Sequence, residues 1–156
     1  VFAELSADYP DVETEKWHVD ALAARFVTRP EAFDVVVASN LFGDILTDLG
    51  GAIQGSLGTA ASANLSPQRV GPSMFEPVHG SAPDIVGRGI ANPIGAIWAG
   101  AMMLEHLGEE QAGAAIVAAI ERLTSEGTTL TRDLGGSAST SDVGKAIAAY
   151  VREQAG

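Results

Sequence analysis

Asp44 and Asp48 stand four residues apart in "NLFGDILTDLGG" (residues 40–51), just after an apolar run and just before two glycines. On a helix, positions four apart share a face with their Cβ atoms about 5–6 Å apart, and two like charges there cost a few tenths of a kcal/mol. Two readings fit. The simpler is a pair of solvated acids in an early helical turn, favoured by the helix dipole. The sharper is a divalent cation between them: Mg²⁺ and Mn²⁺ prefer oxygen ligands, keep several waters and use one or two carboxylates. Asp20, early in the Ala-rich "HVDALAARFV", admits the same two readings. Zinc has little support, because the chain lacks cysteine and His18, His79 and His106 lie far apart with no HxxxH pair. His106 suits the C-terminal end of a helix, as a dipole partner.

A second stretch, "FEPVHGSAPDIVGRGIANP" (residues 75–93), is rich in small residues. Gly80, Ser81, Ala82, Gly87 and Gly89 would let a backbone approach a ligand, and Asp84 offers a carboxylate suited to a ribose diol. A carboxylate in that place repels a 2′-phosphate, so a dinucleotide bound here should be NAD more than NADP. The stretch matches neither GxGxxG after a strand nor GxxxxGK[ST]. From residues alone, a well-packed surface loop remains open.

The elements that must position these groups follow from periodicity and breakers. Residues 1–9 have helical spacing up to Tyr9-Pro10, and residues 12–19 suggest an edge strand. Val19, Leu22, Ala23 and Phe26 form one stripe, and Pro30 disfavours helix in the residue before it, which predicts a helix over 19–27. "FDVVVASN" (33–40) reads as a strand buried on both faces of a parallel sheet. A helix should follow, weakened at Gly50 and Gly51 by up to about 1 kcal/mol each relative to Ala. Residues 55–89 read as a long ordered loop with short strands only near Ser73–Phe75. Three helices close the chain: one with Pro93 in its first turn and Gly108 as its stop, one opening on Glu109 and Glu110, and one capped by Thr140 or Ser141. The class is α/β, with too few strands to complete a sheet.

Composition narrows the partners. The 156 residues are 46% hydrophobic, enough for one ordinary core. Twenty acidic against nine basic residues give a net charge of −11, with no basic cluster, which argues against nucleic acid and anionic membrane. The absence of cysteine suits a reducing compartment, so a cytoplasmic location is the default expectation. No apolar run approaches the ~20 residues of a membrane span. The opening "VFAELSADYP" has neither an initiator Met nor a signal-peptide pattern and reads like the middle of a longer chain.

Together the two stretches give the chain a family likeness. It resembles the metal-dependent β-decarboxylating dehydrogenases, which include isopropylmalate, isocitrate, homoisocitrate and tartrate/D-malate dehydrogenases. "NLFGDILTD" is similar to their metal motif, and "EPVHGSAPDI" with "GIANP" to their nucleotide loop. The likeness runs from about Tyr9 to Ala155, and "WHVDALAARFV", "LGGAIQGSLG" and "SANLSP" resemble the tartrate/D-malate branch most. The resemblance implies the isopropylmalate/isocitrate dehydrogenase-like two-domain α/β fold, of which this chain is the C-terminal part. Residues 1–54 would belong to the second, dimerising domain and 55–156 to the first, nucleotide-binding one.

By the same likeness Asp44 and Asp48 are metal ligands. Asp20 reaches the metal and substrate of a neighbouring subunit, where it can relay a proton, so the site is shared across a homodimer. His79, Gly80, Ser81, Ala82, Pro83, Asp84 and Ile85 wrap the adenosine half of NAD, with Asn92 near the adenine. The implied cofactors are NAD and Mg²⁺ or Mn²⁺, with K⁺ allowed, and the implied substrate is a 2-hydroxy dicarboxylate. The family's catalytic lysine, tyrosine and substrate-binding arginines are expected upstream of Val1. Thr59 stands where the family has an aliphatic residue, a departure that bears on packing more than chemistry. Two rival readings are an inactive fragment that only associates, and a plain nucleotide binder indifferent to metal.

Overall fold

A computed structural model describes residues 1–155. The chain divides into two units, Val1–Leu46 and the residues from Thr47 onward. Helix α1 spans Phe2–Asp8 and α2 spans Val19–Thr28, ending where Pro30 requires. Leu22 is the buried residue of α2. Around it the Phe26 and Phe33 rings lie 5.1 Å apart, and the Arg25 guanidinium sits 4.6 Å from the centre of the Trp17 ring. Helix α3, Asn40–Ile53, carries both Asp44 and Asp48.

The valine run before α3 departs from expectation. It forms no strand, and Val35 and Val37 are 84% and 94% exposed instead of buried. A β-branched run has strand propensity, but a strand exists only through ladder hydrogen bonds to a neighbour. Among the described residues none lies beside it. Residues 12–19, expected as an edge strand, form none for the same reason.

In the second unit, β1 (Ala61–Asn64) pairs antiparallel with β2 (Met74–Pro77), Ala61 opposite Pro77 and Asn64 opposite Met74. The sequence points to β2 but not to β1, whose "ASAN" has no β-branched or aromatic residue. Helix α4, Ile94–Leu107, packs against this pair. Pro93 is its N-cap, and Gly108 ends it at φ 92°, in the left-handed region that glycine adopts without a Cβ clash. His106, in the last turn of α4, packs at a tilt against Phe75 with 5.6 Å between ring centres and lies 3.2 Å from Ser73 Oγ through Nε2.

Helix α5 spans Glu110–Glu126 and α6 spans Thr140–Ala155. The cap of α6 is Ser139, not Thr140 or Ser141. Its Oγ accepts the Asp142 N–H at 3.2 Å, and Asp142 Oδ2 accepts the Ser139 N–H at 3.1 Å, a reciprocal box that satisfies two donors at once. Thr140 uses its hydroxyl elsewhere, donating to the Ala91 carbonyl at 2.5 Å.

The core of this unit is Ile94, Ala119, Ile120, Leu123, Val143 and Ile147. At its surface Arg122 bridges α5 and α6, donating to Glu126 at 2.8 Å and Glu153 at 2.7 Å while lying 3.9 Å over the Tyr150 ring. Thr59 keeps its hydroxyl satisfied, donating to the Ser56 carbonyl at 2.8 Å.

Candidate functional site

The loop from His79 to Asn92 joins β2 to α4 and forms one wall of a cleft of about 670 Å³. Its turns need unusual backbone. Ala82 takes φ 43°, Gly87 75° and Gly89 61°. The left-handed region costs a non-glycine residue about 1–2 kcal/mol, so Ala82 is a strained corner ahead of the short turn Pro83–Ile85. A Cβ on Gly80, Gly87 or Gly89 would meet no atom within 4 Å, so the loop backbone there faces open space. That is the geometry a cradle needs for close approach of a ligand.

His79, Gly80, Ser81, Ala82, Ile85 and Asn92 all line the cleft. Pro83 and Asp84 lie in the same loop, exposed, and are not among its lining residues. His79 Nδ1 is 2.9 Å from the Gly80 carbonyl oxygen, which can only accept, so the proton belongs on Nδ1. In the neutral ring this leaves Nε2 as an acceptor. Asn92 is buried and occupied on both sides. Its Oδ1 accepts the Ile94 N–H at 3.0 Å, capping α4, and its Nδ2 donates to Asp133 Oδ2 at 2.9 Å.

The opposite wall brings in residues that sequence reasoning missed: Ser56, Gly58, Arg132 and Asp133. Ser56 Oγ donates to the same Asp133 Oδ2 at 2.5 Å and accepts the Gly58 N–H at 2.9 Å. Partial burial pushes the Asp133 pKa up, but hydrogen bonds led by Ser56, with Asn92 contributing, outweigh it and hold the carboxyl below its usual range. Thr131 Oγ1 is buried and has no hydrogen-bond partner among the described residues. No motif links positions 41 and 77 residues apart in sequence.

The three candidate metal ligands are exposed. Asp44 Oδ2 accepts from Asn40 Nδ2 at 3.1 Å, one helical turn back, and Asp48 follows one turn on along α3. Asp20 Oδ1 accepts the Ala21 N–H at 2.8 Å in the first turn of α2. Among the described residues no three His, Cys, Asp or Glu side chains converge as a metal site. Asp44 and Asp48 are hard oxygen donors of the kind that Mg²⁺ or Mn²⁺ takes while keeping waters.

Residues 1–147 match the family model described as isocitrate/isopropylmalate dehydrogenase. The chain is 57% identical over 149 residues to the tartrate dehydrogenase/decarboxylase of Pseudomonas putida, covering 92% of this chain and 40% of that protein. It is also 57% identical over 148 residues to the D-malate dehydrogenase (decarboxylating) of Escherichia coli, covering 92% and 41%. The crystal structure of an isocitrate dehydrogenase from Methylococcus capsulatus superposes with a TM-score of 0.90 at 43% identity, over 96% of this chain and 44% of that one. The chain therefore spans about two fifths of the length of the curated relatives it matches.

Proposed function

This chain belongs to the isocitrate/isopropylmalate dehydrogenase family, and from that premise we propose that the whole protein oxidises a 2-hydroxy dicarboxylic acid of the tartrate/D-malate type with NAD and Mg²⁺ or Mn²⁺. The observation that carries the reading is the cleft lined by His79–Ala82 and Asn92 of the loop on one side and by Ser56 and Asp133 on the other. Its open glycine backbone suits a dinucleotide, whose adenosine half would lie there with the ribose toward Asp84. Residues 1–54 and 55–156 are the segments we assign to the dimerising and nucleotide-binding domains.

Asp44 and Asp48 would hold the dication, with Asp20 contributed by the second subunit of a homodimer. When bound, the metal supplies Lewis-acid stabilisation of negative charge at the substrate oxygen as hydride leaves the neighbouring carbon. The carboxylates of this chain have a separate part. Two of them offset the dication beside a doubly anionic substrate, and Asp20 accepts and passes on the hydroxyl proton.

The test is Asp44→Ala in the whole protein. Metal-dependent NADH formation should vanish, and unchanged turnover would remove the mechanism. Comparing kcat/KM on D-malate, tartrate and 3-isopropylmalate then ranks the substrates; preference for the last would move the assignment to isopropylmalate oxidation.

A further inference from the structure

One oxygen, Asp133 Oδ2, accepts from Ser56 Oγ at 2.5 Å and from Asn92 Nδ2 at 2.9 Å. We propose that Asp133 is a positioning residue that holds the two walls of the cleft in register, acting through Ser56 and Asn92. The inference rests on the reading of the cleft as the NAD site.

Each partner is itself a local fastener. Ser56, oriented by its donation to Asp133, accepts from Gly58 and caps the short turn Leu57–Thr59. Asn92, with its amide committed to Asp133, has only Oδ1 left for the first turn of α4. The carboxylate thus fixes which way both side chains face, and with them the backbone on either side of the cleft.

Close packing supports the same geometry. A Cβ on Gly58 would lie 2.8 Å from Asn92 Cβ and 3.2 Å from Asp133 Oδ2, so the three segments converge only because position 58 carries no side chain. Hydrogen bonds to a charged acceptor are worth more than neutral ones, so this junction is able to set the shape of an otherwise open loop.

Four variants of the whole protein test it, with NAD binding read by titration calorimetry and KM and kcat measured alongside. Asp133→Ala should weaken NAD by about tenfold or more, raising the KM for NAD while leaving kcat nearly intact. Asp133→Asn, whose amide oxygen can still accept both bonds, should recover most of that loss. Ser56→Ala, which removes the hydroxyl that joins Asp133 to the Gly58 N–H, should weaken NAD by about three- to tenfold, and the double variant Ser56→Ala/Asp133→Ala should be no weaker than Asp133→Ala alone.

NAD binding left unchanged by Ser56→Ala, or strictly additive losses in the double variant, would overturn the clamp and leave Asp133 to act by itself. The Ser56 variant keeps the test sharp if Asp133→Ala fails to fold. A wild-type protein that does not bind NAD would overturn both the clamp and the reading of the cleft beneath it.

Discussion

In the proposed site Asp84 would set the choice of dinucleotide, since a carboxylate at a ribose diol repels a 2′-phosphate. Asp84→Ala should raise kcat/KM for NADP relative to NAD by about tenfold, and an unchanged ratio in paired assays would remove Asp84 from the ribose. The loop around Asp84 is legible in the sequence because it is one short, oddly composed stretch. Asp133 is not, because its partners are scattered along the chain and its value lies in what they form together. Its lowered pKa has a consequence in acid. A carboxylate whose folded pKa lies below the unfolded value, about 3.9, stabilises the fold above that pH and loses the contribution as pH falls through the folded pKa. Denaturation midpoints of wild type and Asp133→Asn should therefore differ at pH 7 and draw together as pH falls below the unfolded value and through the lowered folded pKa.

Among the elements, α4 shows how close packing overrides helix propensity. Gly95 is buried, and a Cβ there would lie 2.8 Å from the Ala60 carbonyl oxygen and 3.0 Å from that of Gly58. Alanine normally gains up to about 1 kcal/mol over glycine inside a helix. Here the obstacle is backbone, and overpacking of this kind costs about 1–3 kcal/mol, so Gly95→Ala should lower the urea midpoint. A raised midpoint would show that the strand side can yield. The helices themselves could be read from breakers: Pro30, Pro93, Gly108 and Gly127 fall at the ends where each was needed. Strands fared worse, because α-helices satisfy their hydrogen bonds internally while the run at Val35–Val37 depends on a neighbour that no local pattern reveals.

For the molecule as a whole, the two units differ in what they bury. Most of the buried apolar side chains, from Ile94 to Ile147, belong to the second unit, whereas Leu22 and Leu46 are those of the first. Amide exchange should therefore be slowest in α4, α5 and α6 and fast from Asp34 to Val37, and strong protection of that valine run in this chain would contradict the structure. Its consequence reaches beyond exchange rates. A β-branched stretch with no strand laid alongside among the described residues is an adhesive margin: copies of this chain kept at high concentration should zip together there into cross-β fibres, which thioflavin fluorescence would register. A lysine in place of Val37 should act as a gatekeeper and delay them.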